Sequence, residues 1–321
     1  GRTLDEQRVW LGRLMAPFTT EAARHPDQAW FPTERTPEEL STVTADNRMV
    51  CEPYTKLLNS ILTVDMAAAF VIMAAEVAQD LQIPRDRWVF SWASATCNDV
   101  YFPVQRPDLS RSAGIRAAGS GVLAAAGIGL DDVSWFDLYS CFPAAVEAAV
   151  DALGLEATDP RGFTVTGGLP YHGGPGNNYA SHSIVEMARR CRADPKGVGM
   201  VSGLGWYITK HSVGLWSAAP PPKGWQAPDM SSVQASIDST ALEVVEAGAA
   251  VGTARIDGYT VVHDRDTGPA SVPVFASTPD GHRVVARSDD PDVAAAMSGG
   301  MFVGHEIDLK PAHDHARFAL R

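Results

Sequence analysis

The chain has 321 residues, 26 basic and 38 acidic, for a net charge of −12, and 45 % of it is aliphatic, aromatic or Cys. An ordinary domain takes roughly 150 residues, so two domains are the first expectation, with enough apolar matter to exclude disorder as the overall description. The acidic balance argues against broad nucleic-acid binding, which needs a basic footprint. Residues 1 to 60 show little period and carry turn signals at Phe31-Pro32 and Thr36-Pro37, so they read as an irregular, partly helical excursion. Ile61 to Ala78 is the most apolar stretch, but Asp65 and Glu76 interrupt it. It reads as a buried helix, with Val64 to Leu81 helical and Pro84 as its stop, and not as a membrane span.

Arg87 to Ala93 has the composition of a buried strand. Arg111 to Gly127 is Ala-rich and helical, Val133 to Leu138 a short strand, and Pro143 to Leu153 a helix with Pro in its first turn and Gly154 at its end. Asn177 or Asn178 can cap a third helix running to about Arg192, and Gly197 to Ser202 follows as a strand. This alternation predicts an α/β layer structure. Ala218 to Pro228, with three consecutive prolines, reads as a stiff linker. Beyond it, Ala254 to His263, Val272 to Ser277, His282 to Arg287 and Phe302 to Leu309 are β-like, with a short helix over Asp290 to Met297. That is the order of a small barrel of the OB kind.

Four separate cysteines, Cys51, Cys97, Cys141 and Cys191, contain no C-x-x-C pair, so neither a zinc ribbon nor a disulfide scaffold is expected. A reducing, cytoplasmic compartment fits them. No metal site is expected, because His172, His182 and His211 lack ligand spacing and His313-Asp-His315 lies in an expected tail. Three segments can carry chemistry. Asp137-Leu-Tyr-Ser-Cys-Phe-Pro143 joins a strand to a helix, which puts Tyr139, Ser140 and Cys141 at the carboxyl edge of a sheet. Thr166 to Asn178 is glycine-rich and precedes a helix, an arrangement that suits an anion or oxyanion. It is neither a P-loop nor a dinucleotide fingerprint. His172 is its one group that titrates near neutral pH. Val201 to Ser212 runs a strand into a Gly-x-Gly turn and brings Tyr207, Lys210 and His211.

Thr166-Gly-Gly, Gly173-Gly-Pro-Gly-Asn-Asn and Gly203-Leu-Gly-Trp-Tyr in this order resemble the thiolase superfamily. Closest in pattern are the acetyl-CoA acetyltransferase-like and sterol-carrier-type thiolases of actinobacteria and the type-1 thiolase-like proteins. The resemblance implies a partial layered α-β-α-β-α fold plus a C-terminal OB-like β-barrel. It divides the chain into a loop-domain remnant (1–41), the last segment of a thiolase N-terminal domain (42–84), a C-terminal domain (85–219), a linker (220–251), an OB-like domain (252–309) and a tail (310–321). It implies coenzyme A or an acyl-CoA as ligand, held by Gly173, Gly174, Asn177, Asn178, Gly203 and Gly205, and no permanent cofactor. The earlier part of the N-terminal half, with its nucleophilic Cys, is expected to be missing and is a possible partner.

The chain departs from the family at its chemical positions. Tyr139-Ser140-Cys141-Phe142 stands where thiolases carry N-E-A-F or H-D-C-F. Gly174 stands for the His of G-H-P, and Val201 for the Cys of C-x-G-x-G. Claisen chemistry needs a thiolate, a base and a His, so the resemblance implies an acyl-CoA-binding acyltransferase relative in lipid metabolism with altered chemistry. Thiolase-like aldolases of steroid side chains use tyrosines for proton transfer and associate with OB domains. By that analogy Tyr139 and Tyr207 are the suspected proton-transfer groups, and a retro-aldolase acting on a β-hydroxyacyl-CoA would use Tyr139 or His172 as base; His211 completes the set of candidate catalytic residues. A CoA binder without turnover is the third reading.

Overall fold

The computed structural model describes residues 2–321. Helix α1 (Leu4–Ala23) opens the chain, and Thr3 and Glu6 satisfy each other's backbone N–H in a capping box. Leu11, Leu14, Met15, Phe18 and Ala22 recur at helical spacing and are buried. The first sixty residues are therefore more regular than their weak period suggests. Pro17 sits inside α1 and breaks the sequence signal without breaking the helix. A second capping box, Thr36 with Glu39, starts α2 (Pro37–Ser41), which packs on α1. β1 (Met49–Cys51) and β2 (Tyr54–Thr55) then pair antiparallel.

The buried helix expected over 64–81 does not form. Only α3 (Ala75–Asp80) is helical, and Asn59 to Ala74 runs without regular structure. Val71 is 81 % and Ile72 78 % exposed. β-branched residues gain little from an isolated helix, and no apolar face is offered here to pack one. The chain is instead anchored as a strap, with Ser60 N–H donating to Cys141 O at 3.2 Å and Gly174 N–H to Ile61 O at 3.0 Å.

The layered unit is a four-stranded sheet of β3 (Phe90–Asn98), β4 (Trp135–Asp137), β5 (Gly199–Gly205) and β6 (Lys210–Ser217), in the order β3-β6-β5-β4. β4 and β5 are parallel, and β6 is antiparallel to both its neighbours. Three helices cover it, α4 (Ala113–Ala126), α5 (Pro143–Leu153) and α6 (Tyr179–Ala193). Gly127 and Gly154 end α4 and α5 with φ of +71° and +75°, a left-handed cap that glycine adopts without strain. Successive residues of a strand face opposite ways. Leu215 accordingly joins the α4–α5 core, and Trp216 packs with Met187 and Cys191 of α6.

α7 (Ser231–Asp238) lies against α4 and β3. The barrel follows, from β7 (Gly252–Tyr259), β8 (Val262–Asp264), β9 (Gly268–Ser277), β10 (Arg283–Ser288), α8 (Pro291–Ser298), β11 (Glu306–Lys310) and β12 (Ala316–Leu320). Five strands close in the order β7-β9-β10-β12-β11, with Ile256, Val274, Val284, Ile307 and Phe318 in a core that Ala294 and Met297 of α8 complete. β8 departs from the ring to pair with β1. The expected tail over 310–321 is corrected, because β12 is the strand that closes the barrel. Its polar lead-in at His313-Asp-His315 masked it in the sequence. No helix among the described residues is long and apolar enough to cross a membrane.

Candidate functional site

β4 delivers Asp137 to the end of the sheet, fully buried. Its carboxylate accepts from Ser183 Oγ at 2.6 Å, Val165 N–H at 2.9 Å, Thr164 Oγ1 at 3.0 Å and Tyr179 OH at 3.1 Å, with Thr166 Oγ1 at 3.3 Å. Burial pushes its pKa up, and these donors oppose the rise. Asp137 thereby ties the turn at 164–168 and the start of α6 to the sheet. Two residues on, Tyr139 donates its N–H to Ser202 Oγ at 2.9 Å and stands edge-on to Tyr179 at 5.5 Å between ring centroids. Burial, with a contribution from Cys141, raises the Tyr139 hydroxyl to about 12. Ser140 Oγ accepts the Leu169 N–H at 3.2 Å.

The glycine-rich loop then sets His172 in place. Its backbone N–H donates to Gly168 O at 2.7 Å, and its carbonyl accepts from Trp30 N–H at 3.0 Å. The ring lies 5.3 Å from His182 and 6.3 Å from Tyr179, and both its nitrogens are buried without a partner. Burial pushes its pKa down to about 4, and the two neighbouring histidines, His182 and His25, add to the shift. Gly173 has φ of +124°. A Cβ there would overlap Met66 Sδ, and one at Gly174 would overlap Ser60 Oγ. The close approach that the glycines permit is made by the chain's own strap. Asn177 is exposed, and the Asn178 amide lies 3.3 Å from His182 Nε2 without capping α6.

The third segment lies apart. Gly203 and Gly205 belong to β5, opposite Ser212 and Lys210 of β6. Tyr207 is at the exposed hairpin turn, where its carbonyl accepts from Arg106 at 3.0 Å. His211 is buried, with Nε2 2.9 Å from Asp99 Oδ2 and 3.4 Å from Ser112 Oγ. Ser112 also donates to Asp99, whose other oxygen takes the Gly114 N–H at 2.9 Å. Burial would raise the Asp99 pKa, but these hydrogen bonds outweigh it and hold the carboxyl below its usual range. A catalytic relay uses both imidazole nitrogens, one toward each partner. Here one nitrogen faces both, and the group caps α4, Ser112 Oγ accepting from Ile115 N–H at 3.0 Å. The structure thus groups Tyr139 with His172 around Tyr179. Among the described residues, no hydrogen bond or ring contact links them to Tyr207 or His211. Sequence reasoning passed over Asp137, Tyr179 and Ser60. Asp137 was legible as the polar end of a buried strand, whereas Ser60 is brought in only by the strap.

The comparison with curated proteins found no match. Residues 232–314 match the family described as the additional C-terminal domain of thiolase-like protein type 1. A solved structure, a monomeric SCP2-thiolase-like protein type 1 from Mycobacterium smegmatis, is 35 % identical with a TM-score of 0.90. The match covers 100 % of this chain and 69 % of that one. The chain belongs to the type-1 thiolase-like proteins.

This thiolase-like protein has four free thiols among its described residues. Burial is the leading cause at all four, raising Cys51 and Cys97 and pushing Cys141 and Cys191 to about 11. Val201 pairs in register with Asp137 and packs with Val165, Met187 and Cys191. Among the described residues no His, Cys, Asp and Glu cluster is arranged to hold a metal ion.

Proposed function

We propose that this thiolase-like chain binds an acyl-CoA thioester at the Tyr139–His172 face and does not catalyse ordinary thiolysis. The observation that carries this reading is the placing of Tyr139 and His172 around Tyr179, with both His172 nitrogens buried and unpartnered. Tyr139 keeps its proton up to about 12, His172 stays neutral down to about 4, and all four thiols are raised. Thiolysis and Claisen condensation need a thiolate and a base, and here burial disfavours the thiolate of each cysteine and lowers the basicity of His172. Tyr139 and His172 do supply a protonated phenol and an unpaired imidazole, which suit hydrogen bonding to a thioester carbonyl. The ligand displaces the strap, whose Met66 and Ser60 occupy the space beside Gly173 and Gly174.

A retro-aldolase reading needs Tyr139 or His172 as base. Burial keeps the Tyr139 hydroxyl protonated and lowers the basicity of His172, which favours binding over cleavage. Four free cysteines suit a reducing, cytoplasmic location. Calorimetric titration with acetyl-CoA tests the binding. Saturable binding is expected, with the affinity at this site weakened about fivefold in Tyr139→Phe, the cost of one hydrogen bond. No heat of binding at millimolar ligand refutes the proposal.

A further inference from the structure

A cleft of about 810 Å³ opens beside α1 and is lined also by residues 34–37 and 157–164. Its floor includes Phe18, which also packs behind Gly168 and Ser140, so the cleft and the glycine loop share a wall. Five arginines line it, Arg13, Arg24, Arg35, Arg161 and Arg190, against three carboxylates, Glu21, Glu34 and Asp159. This excess of two positive charges stands in a protein whose net charge is −12.

Part of the charge is already committed. Arg161 grips Asp159 at 2.9 and 2.7 Å, and Arg24 and Arg190 share Glu21. Glu34 accepts from Thr20 Oγ1 at 2.9 Å. Arg13 and Arg35 have no ion-pair partner among the described residues, and Arg24 with Arg190 exceeds Glu21 by one charge. Arginine's planar fork matches phosphate oxygens in pairs. Leu14, Pro17, Phe18, Pro37 and Phe163 give the same cleft an apolar side.

We infer that this cleft is a binding site for a phosphate monoester carried on an apolar or aromatic body. A phosphate monoester carries close to two negative charges at pH 7, which answers the cleft's excess, while a lone carboxylate answers half of it. The volume lies within the range of about 300–1,000 Å³ typical of small-molecule sites. None of its lining residues is Tyr139, His172 or a strap residue, but coenzyme A also carries a phosphate monoester on adenosine, so the two sites are told apart by adenosine monophosphate, which has no thioester, and by variants at each site.

Calorimetric titration of the full chain with adenosine monophosphate, adenosine, inorganic phosphate and decanoate tests it. Adenosine monophosphate is expected to bind best, with affinity falling as salt rises. The Arg13→Ala/Arg35→Ala double variant is expected to lose at least about tenfold in affinity while melting at the wild-type temperature, and Arg13→Lys/Arg35→Lys to recover part of the loss. Tyr139→Phe is expected to leave this binding unchanged, which separates it from the acyl-CoA site. The inference is overturned if adenosine monophosphate does not bind at millimolar concentration, if the double alanine variant binds it as well as wild type, or if adenosine or decanoate binds more tightly.

Discussion

His172 is an ionisable side chain placed where ionisation is penalised. Both its nitrogens lack partners, the ring sits beside His182, and the charges of His182 and His25 oppose a further positive charge. The folded protein holds it neutral down to about 4, against an ordinary value of 6.5. Unfolded chains take up the proton first. The contribution of this group to stability is therefore complete above pH 6.5 and is lost as pH falls from there through 4, about 3 kcal/mol in all. His172→Gln should flatten the unfolding free energy over that window, measured by urea titration at several pH values. Parallel slopes in the two proteins would refute the assignment. The sequence identified His172 as the titrating group of its loop, but spacing alone carries no information on burial. Tyr139 was legible for its place after a strand. Tyr207 and His211 drew attention for their residue types, which say nothing of the hairpin that exposes one and buries the other against Asp99 and Ser112.

At the scale of elements, Asp137 holds the site together. Its carboxylate gathers donors from the 164–166 turn and from α6. Asp137→Ala leaves those buried donors unpaired, and a loss of about 3 kcal/mol or more is expected in chemical denaturation. The strap over Asn59 to Ala74 has the opposite character, with few backbone hydrogen bonds and exposed Leu62, Phe70, Val71 and Ile72. Chymotrypsin should cut there before it cuts in the barrel, because cleavage follows local opening. A first cut in the barrel would contradict this. Periodicity recovered α5 at both ends and α4 within two residues at its start, since their apolar faces meet a sheet. It failed for the strap, where composition is helical but no surface receives a helix.

The whole molecule combines a layered unit with a closed barrel, and the barrel joins the N-terminal segment where β8 pairs with β1. Glu52, beside that pairing, accepts from Ser298 Oγ at 2.8 Å and lies 3.2 Å from His263 Nε2, adding a polar link from barrel to N-terminal segment. Closure depends on β12, which joins β10 to β11. Ending the chain after Lys310 should abolish protection of the β10 and β11 amides in hydrogen exchange while leaving β3 and β6 protected. The family resemblance was legible because three glycine-bearing segments keep their order along the chain, and glycine positions track backbone geometry. The chemistry was harder to read, because it turns on burial around Tyr139, His172 and the thiols. The most direct test of the central claim is the rate at which the full chain cleaves acetoacetyl-CoA with free CoA. The site described here predicts a rate no higher than the protein-free control. A rate proportional to protein concentration and lost in Cys141→Ser would contradict it.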